Sequence, residues 1–425
     1  MAGEIFRPTE LDKPRDKCAV VGVYSRTVHV PQTTLEGLIE QNHRGQEGSG
    51  MVVSNGEGFQ VVKGSGLAET VFLENQQLPS LPGSFVAAGH DRYSTSGSLN
   101  ESQPFLENGI SLVHNGNLTN VRHLREKYGL PEEIDGAKSD SRMALAIINK
   151  QKGTEEEKIL AGLKEFEGAY SFVLTTKDTL YAARDPLGFR PLCLGSLENG
   201  GYAVASEPIA FFPMGGKFIR EILPGETIAI NDEGVRTIAL DKRSKFAQCI
   251  FELIYVANIN STVFGIPVAQ FRLRQGEIIS RHLPEDVDLI MSVPHSGMGA
   301  AEGTAASYLA KLRGIPYLEG LYTSPYRNIK RGQRTFIQPF DREQAAKDKY
   351  RAIEYILNGK RVVVVDDSIV RGSVIIPVGM VRNAGAKEIH LRSASPPIKS
   401  PCYFGVDMSS NGNDHDMLLV DRIPD

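Results

Sequence analysis

Apolar residues in the first half of the chain occur in short runs separated by Gly, Asn and Asp. The runs are rich in β-branched and aromatic residues, a composition typical of strands. They include CAVVGVYS, GMVVSN, SFVAAGHDRYS, ISLVHNG, YSFVLTTKD and TLYAARD. Segments with helical periodicity interrupt them at 34–44 and 141–150, and either Ser139 or Asp140 can cap the second. The pattern predicts two antiparallel sheets covered by helices, an α+β layer structure.

From about residue 245 the pattern changes to fully apolar strands that alternate with helical segments. The predicted strands are 287–294, 315–320, 361–367 and 388–395. The predicted helices are 300–313, 342–358 and 374–385. Such alternation is typical of a parallel, doubly wound α/β sheet, whose ligands lie beyond the carboxyl ends of its strands. We expect the domain boundary between residues 235 and 248.

Composition narrows the class of protein. A length of 425 residues allows two domains, and the net charge of −4 provides no general attraction to nucleic acid or to an anionic membrane. No apolar run reaches the ~20 residues that span a bilayer, and residues 1–17 are too charged for a secretory signal. The four cysteines form no CxxC pair. We therefore expect no disulfide framework and a cytoplasmic location.

The segment RVVVVDDSIVRGSV (361–374) is the most specific in the chain. A strand of four valines ends on Asp366 and Asp367, two adjacent carboxylates suited to a ribose diol or to Mg²⁺. The loop that follows contains Ser368, Gly372 and Ser373. Its amides and the start of the next helix suit a phosphate group. The alternative is a buried strand followed by an ordinary turn with a capping serine.

The segment resembles the PRPP-binding motif of type I phosphoribosyltransferases, in the form found in the glutamine phosphoribosylpyrophosphate amidotransferase family. VPHSG (293–297), GIPYLEGL (314–321) and RTFIQP (334–339) extend the resemblance, which covers about residues 18–407. It implies an α+β N-terminal nucleophile (Ntn) hydrolase domain, of the class II glutamine amidotransferase type, followed by an α/β type I phosphoribosyltransferase domain. We expect the chain to divide into a prosegment at 1–17, the glutamine amidotransferase domain at 18–245, the phosphoribosyltransferase domain at 246–408 and a polar tail at 409–425.

The resemblance also implies a site in the second domain. Around Mg²⁺ it would gather Ser296, Asp366 and Asp367. For PRPP it adds Ser368, Arg371, Gly372, Ser373 and Lys349, the last from the segment AKDKY.

The first half contains the glutaminase motifs of the same family, in family order. By resemblance, HRGQEGSG supplies Arg44 and GHDRYSTSG supplies Arg92 for glutamine, and SDSR supplies Asp140 for its α-ammonium group. HNGNLTN supplies Asn115 and Gly116, whose side-chain amide and backbone N–H can stabilise an oxyanion. Taken singly, each has a plainer explanation: a surface cation, a hairpin turn or a helix cap.

Cys18 begins the first apolar run and is the predicted nucleophile. A free thiol has a pKa of about 8.5, so it needs a base at neutral pH. A cysteine at the N-terminus has its own base, because an α-amine has a pKa of about 7.7–8.0. That requires removal of residues 1–17, which the resemblance implies. The alternative is a small buried cysteine at the start of a strand.

Several positions depart from the family pattern. Where the family has ARPDS, this chain has ANINS (257–261). Where the family has VPDSG, this chain has VPHSG (293–297), with His295 in place of an acid. The flexible-loop motif KNRY reads TSPY (323–326) and is followed by the basic segment RNIKRGQ. After Gly372 the second of two threonines is Val374. Because these changes lie around the acceptor, they bear on PRPP more than on glutamine.

The remaining cysteines provide an incomplete cluster site. Cys249 and Cys402 align with positions that bind a [4Fe–4S] cluster in some family members, but two of the four expected ligands are absent. We therefore expect Mg²⁺ as cofactor and no cluster, with Cys249 and Cys402 structural and Cys193 in the core.

The predicted function is glutamine-dependent amidotransfer to PRPP, the first step of purine synthesis, in a homodimer or homotetramer with possible nucleotide effectors. Glutamine would be hydrolysed at Cys18, and ammonia would pass internally to PRPP to give 5-phosphoribosylamine. Three alternatives stay open: amination of another phosphorylated acceptor by a diverged paralogue, a regulatory protein that senses nucleotides or PRPP, and an uncoupled glutaminase.

Overall fold

The computed structural model describes residues 18–93, 99–241, 245–294, 301–323, 350–369, 374–396, 398 and 402–405. These residues form two compact units that divide between Cys249 and Ile250, and residues 402–405 belong to the first unit. The predicted prosegment and polar tail lie outside the described residues.

The first unit contains two antiparallel sheets. The seven-stranded sheet has the order β11-β9-β10-β1-β4-β2-β3 and the six-stranded sheet the order β13-β12-β8-β7-β6-β5. The strands of the former are β1 Ala19–Tyr24, β2 Gly48–Ser54, β3 Phe59–Ser65, β4 Val86–Arg92, β9 Cys193–Leu197, β10 Tyr202–Ala205 and β11 Gly216–Glu221. Those of the latter are β5 Phe105–Glu107, β6 Ile110–Leu118, β7 Gly168–Thr175, β8 Leu180–Arg184, β12 Glu226–Asn231 and β13 Gly234–Leu240.

Helices cover the outer faces of both sheets. The α-helices are α1 Val30–Glu40, α2 Val121–Tyr128, α3 Asp140–Lys150 and α4 Glu155–Leu163. Short π and 3₁₀ helices span Glu69–Glu74, Leu99–Glu101 and Pro208–Phe211. Helix α1 starts four residues before the predicted 34, because Pro31 fits the first turn of a helix. Ser139 is the cap of α3, and its side chain accepts from the Arg142 N–H.

The core of this unit has three apolar layers. Val20, Val113 and Val173 pack between the two sheets. Val21 and Val23 face α1, while Leu112 and Phe172 face α3 and α4. Because β1 is buried on both faces, its sequence is a continuous apolar run. The predicted α+β fold of the first half is confirmed.

The second unit is built on the parallel sheet β16-β19-β20. Its strands are β14 Thr262–Val263, β15 Ile266–Pro267, β16 Leu289–Ser292, β17 Leu321–Thr323, β18 Tyr350–Ala352, β19 Arg361–Asp366 and β20 Glu388–Ser393. Its helices are α5 Val268–Ser280, α6 Ala301–Arg313, α7 Glu354–Leu357 and α8 Ile375–Asn383, with a π-helix at Glu252–Val256. Val362 and Val364 pack toward α8, and Val363 and Val365 toward α5 and α6. The predicted doubly wound sheet is confirmed.

Two predicted elements of this unit are wrong. Described residues of the predicted helix 342–358 form strand β18, which pairs with β17, and then the short helix α7. The predicted strand 315–320 forms only a single bridge, between Ile290 and Tyr317. For β18 the pairing partner lies far along the chain, and local periodicity does not report it.

Residues 402–405 were predicted within the second domain but pack on the first unit. The rings of Phe189 and Phe404 stack with centroids 4.2 Å apart. Arg190 Nη2 donates to Phe404 O at 2.9 Å, and Asn117 Nδ2 donates to Tyr403 O at 2.9 Å. Aromatic stacking and these two hydrogen bonds explain the difference from the predicted range.

None of the described helices is long and apolar enough to cross a bilayer.

We expect Gly22→Ala to lower the free energy of unfolding by about 1–3 kcal/mol, because it overpacks the layer between the sheets. A Cβ at Gly22 would lie 2.8 Å from side-chain carbons of Val173, Leu180 and Val204. Gly58→Ala is the matched control, because nothing lies within 4 Å of its added Cβ. Urea unfolding of both variants measures the difference, and equal stability losses would contradict this packing.

Candidate functional site

Cys18 lies immediately before β1 and is buried. Two hydrogen bonds with Ser206 hold the strand next to it: Val20 N donates to Ser206 Oγ, and Ser206 N donates to Val20 O, each at 3.0 Å. The Cys18 nitrogen donates to Asn115 Oδ1 of the other sheet at 3.4 Å. The structure therefore brings the predicted nucleophile and a predicted oxyanion donor together.

Arg92 ends β4 beside the start of β1. The antiparallel register pairs Ala19 with Asp91 and Gly48 with Arg92, so Arg92 lies at the same end of the sheet as Cys18. Its side chain is largely buried. The backbone oxygen of Arg92 accepts from Glu47 N at 3.1 Å, which holds the preceding loop against the strand end.

Arg44 lies in that loop with its guanidinium fully buried. Its Nε donates to Glu207 Oε1 at 2.5 Å, and His43 Nε2 lies 2.8 Å from the same oxygen. Glu207 N donates to Gln41 Oε1 at 2.9 Å. The structure thus places Arg44 in an ion pair that anchors the loop, and its contact with glutamine stays a prediction. Glu207 lies in the motif ASEP, but its role was not predicted.

Strand β6 supplies both predicted oxyanion donors. Ile110 closes a two-residue hairpin with Glu107, so the even residues of β6 direct their backbone N–H and C=O toward β5. Odd residues direct their side chains toward the other sheet, as Val113 does in the inter-sheet core. Asn115 therefore faces Cys18. Its Nδ2 is buried and has no hydrogen-bond partner among the described residues.

Gly116 is required by close packing. Its φ is +153°, and an added Cβ would lie 2.0 Å from Ala169 O of β7. Only glycine fits such an approach. Its N–H points to the β5 side, where β5 no longer pairs beyond Leu112. The strand edge at Gly116 therefore presents a backbone donor close to the Asn115 amide.

Asp140 is the first residue of α3 and contacts the same edge of β6 at Leu118, two residues after Gly116. Its Oδ2 accepts from Leu118 N at 2.9 Å and lies 3.5 Å from His114 Nδ1, and its Oδ1 accepts from Ser141 N at 2.7 Å. Burial alone raises the pKa of Asp140, but the His114 ring and the two N–H donors outweigh it and hold the pKa below its usual value. The side chain is therefore a carboxylate at neutral pH, as binding of an ammonium group requires.

Sequence reasoning missed a buried network next to these residues. His114 N donates to Gln103 Oε1 at 2.6 Å, and Gln103 Nε2 donates to Ser141 Oγ at 3.1 Å. Ser141 Oγ lies 3.0 Å from His114 Nδ1. His114 and Ser141 lie in the motifs HNG and SDSR, which gave a signal, whereas Gln103 lies in no recognised motif.

In the second unit, Asp366 ends β19 and Asp367 follows it, with both side chains largely buried. Ser368 Oγ donates to Asp367 Oδ1 at 2.6 Å, and Ala394 N donates to Asp366 O at 2.8 Å. The two carboxylates thus lie at the carboxyl end of a central parallel strand, where α/β sheets bind ligands.

The other predicted residues of this site lie outside the described residues. They are Ser296, Lys349, Arg371, Gly372 and Ser373. Within the described ranges, no group of three or more His, Cys, Asp or Glu side chains is arranged to hold a metal ion. Cys249 and Cys402 are partly exposed residues of the first unit, and Cys193 is buried.

The chain is similar to known proteins over most of its length. Residues 90–213 match the family model of the glutamine amidotransferase domain. The chain is 40% identical over 418 residues to the chloroplastic amidophosphoribosyltransferase of Glycine max, covering 96% of this chain and 71% of the relative. It is 39% identical over 426 residues to the amidophosphoribosyltransferase of Mycobacterium bovis, covering 94% and 77% respectively.

Two solved structures share the fold over nearly the whole chain. One is the glutamine PRPP amidotransferase from B. subtilis complexed with ADP and GMP, with a TM-score of 0.83 and 36% identity over 95% of this chain and 86% of that one. The other is described as the allosteric regulatory enzyme of purine biosynthesis, with a TM-score of 0.84 and 35% identity over 96% and 86%.

We expect Glu207→Gln to lower the free energy of unfolding by about 3–5 kcal/mol, because it removes the carboxylate from the buried Arg44 guanidinium. Glu126→Gln is the control, since its partner Arg122 is exposed and such pairs contribute little. Urea denaturation compares the two variants. A Glu207→Gln protein as stable as the control variant would contradict a structural role for the ion pair.

Proposed function

The chain belongs to the amidophosphoribosyltransferase family, and on that premise we propose the reaction at its two sites. The first unit hydrolyses glutamine at Cys18, and the ammonia displaces pyrophosphate from C1 of PRPP in the second to give 5-phosphoribosylamine. The family relatives confirm the predicted family, fold class and glutamine-dependent transferase activity in purine synthesis. They provide no support for the alternative acceptor, sensor or uncoupled glutaminase.

The contact between Cys18 and Asn115 carries the proposal. Asn115 Oδ1 accepts from the Cys18 nitrogen, while Asn115 Nδ2 has no partner within the described part of the chain. A tetrahedral intermediate at the Cys18 sulfur can use that Nδ2 and the Gly116 N–H for its oxyanion. Such preorganised donors stabilise charge that develops only during reaction.

The glutaminase cycle follows from these positions. The Cys18 thiol gives its proton to the α-amine, and the sulfur attacks the amide carbon of glutamine. The tetrahedral intermediate collapses, the C–N bond breaks, and the amine returns the proton to the leaving ammonia. Water then hydrolyses the γ-glutamyl thioester to glutamate and restores the thiol. Removal of residues 1–17 is part of the proposal, because it creates the amine.

Charge complementarity supports the proposed orientation of glutamine. Arg92 would bind the α-carboxylate, and the ionised Asp140 would bind the α-ammonium group. Arg92 is buried and the Asp140 side chain is only 13% exposed, and charge-assisted hydrogen bonds are strong in such surroundings. Arg44 would act as a further glutamine-binding residue only through groups other than the Nε held by Glu207.

In the second unit, the donor set at the end of β19 fits Mg²⁺. Carboxylate oxygens are the ligands that hard divalent cations prefer, and Asp366 and Asp367 supply them side by side. When bound, Mg²⁺ would neutralise charge on the leaving pyrophosphate. We propose that Ser296 joins the two carboxylates around Mg²⁺. The proposed PRPP contacts are Ser368, Lys349, Arg371, Gly372 and Ser373.

Regulation and assembly are proposed from the relatives. Because the B. subtilis enzyme was solved with ADP and GMP, we propose that nucleotides also act as effectors of this chain. A homodimer or homotetramer, a cytoplasmic location and the absence of an iron–sulfur cluster stay predictions.

The function is tested by measuring glutamate and pyrophosphate together. Purified protein with glutamine, PRPP and Mg²⁺ should release the two products in equal amounts, and PRPP should stimulate glutamate release. Glutamate release indifferent to PRPP, without pyrophosphate, would contradict the proposed acceptor.

We expect Cys18→Ala to abolish glutamine-dependent transfer and to retain transfer from ammonium salts, because only the first unit loses its nucleophile. Cys193→Ala is the matched control, since its free thiol is also buried in the first unit and lies in the apolar core. Pyrophosphate release with each nitrogen source is the measurement. Full glutaminase activity in Cys18→Ala would show that the nucleophile is another residue.

Asp366→Asn should impair transfer with either nitrogen source by at least about 100-fold, because it removes a charge from the proposed metal and PRPP site. The Asp288 carboxylate pairs with Arg361, the first residue of the same strand. Asp288→Asn therefore removes a carboxylate from the opposite end of β19 and should leave transfer intact in the folded protein. Equal loss of transfer in both variants would contradict the assignment.

A further inference from the structure

The edge of β6 beyond β5 is held by side chains in place of a neighbouring strand. Pairing with β5 ends at Leu112, whereas pairing with β7 continues to Leu118. The even residues 114, 116 and 118 therefore direct their backbone groups off the sheet. At 114 and 118 these groups meet Gln103, His90 and Asp140. Between them, Gly116 presents the proposed oxyanion donor.

Gln103 closes a ring of hydrogen bonds around His114. Its Oε1 accepts from the backbone N–H of His114 at 2.6 Å, and its Nε2 donates to Ser141 Oγ at 3.1 Å. Ser141 Oγ lies 3.0 Å from Nδ1 of the His114 ring. All three side chains are buried. The ring fixes the amide orientation of Gln103, because a backbone N–H can bond only to its oxygen.

A fourth contact holds the next peptide group, between His114 and Asn115. His90 Nε2 donates to the backbone oxygen of His114 at 3.2 Å. Burial and the neighbouring Arg92 charge lower the pKa of His90 to about 3, so its ring is neutral at physiological pH. The His114 ring in turn donates from Nε2 to Ala169 O of β7 at 3.2 Å. His114 is thus held at its N–H, its C=O and both ring nitrogens.

We propose that Gln103 is a positioning residue for the oxyanion donors of the glutaminase, acting through the ring that it closes with Ser141 and His114. The ring holds the peptide group before His114 at its N–H, and His90 holds the peptide group after it, which leads into Asn115 and Gly116. The placement of His114 therefore sets where Asn115 Nδ2 and the Gly116 N–H point. Because oxyanion stabilisation depends on donor placement within a fraction of an ångström, loss of this restraint lowers the rate. This inference rests on the proposed function.

Two reactions of Cys18 distinguish a positioning role of Gln103 from a general loss of structure at the site. Hydrolysis of glutamine forms an oxyanion that needs the β6 donors. Alkylation of the Cys18 thiol by iodoacetamide displaces iodide at a saturated carbon and forms no oxyanion. A change confined to the donors therefore affects the first reaction and leaves the second unchanged.

The test is Gln103→Met, which keeps the chain length and removes both polar groups of the amide. We expect kcat for glutamine hydrolysis to fall by about 10- to 100-fold. We expect KM for glutamine to change less than about two-fold, because Arg92 and Asp140 are untouched. The rate of Cys18 alkylation and transfer from ammonium salts should match those of the wild type.

Ser111→Ala is the matched control. The Ser111 hydroxyl is buried on the same strand and bonds to Thr175 Oγ1 at 2.6 Å, outside the ring. It should lower stability without changing kcat. Ser141→Ala breaks the ring from the other side and serves as the second variant if Gln103→Met does not fold. It too should lower kcat at an unchanged rate of Cys18 alkylation, whereas KM rises as well because Ser141 Oγ also donates to Asp140 Oδ1 at 3.2 Å.

Two results would overturn the proposal. One is a kcat in either folded ring variant within about two-fold of wild type, the range in which a substitution changes no catalytic interaction. The other is a parallel fall of kcat, glutamine affinity and alkylation rate, which indicates a structural role alone. If the wild-type protein itself releases no glutamate, the proposed function fails independently of the ring.

Discussion

The register of β6 is the constraint on which the first site depends. Because side chains in a strand alternate and backbone groups alternate with them, Asn115 faces the other sheet while the Gly116 N–H faces the open edge. A slip by one residue would turn Asn115 away from Cys18 and place a backbone oxygen or side chain where the donor now lies. The hairpin at 107–110 and the packing of Gly116 on Ala169 O hold this register.

The rest of the site is built from strand ends that meet this edge. Cys18 immediately precedes β1 and Arg92 ends β4, and the antiparallel pairing of the two strands puts the start of β1 beside the end of β4. Ser206 and Glu207, adjacent in sequence, anchor the start of β1 and the loop before β2. The second unit differs, because its proposed site lies at the carboxyl end of a parallel strand. There Asp366 ends the central strand β19 and Asp367 follows it.

The proposed site residues come from short contiguous motifs, because Cys18, the pair 115–116 and Asp140 each lie in a local chemical pattern that the sequence displays. The sequence did not predict the ring around His114, since Gln103 and Ser141 are separated in sequence and only the folded sheet and α3 bring them together. The same reason explains the wrong helix at 342–358. A helical period was present there, but pairing of β18 with the distant β17 decided the structure of residues 350–352.

The central claim is that the Cys18 sulfur forms the covalent intermediate with its own α-amine as base. The most direct measurement is the mass spectrum of the intact protein, with peptide mapping, after acid quenching during turnover of glutamine. The account predicts a chain that begins at Cys18 and carries one γ-glutamyl group on that residue. A chain that retains residues 1–17 and still hydrolyses glutamine, or a glutamyl group on another residue, would contradict it.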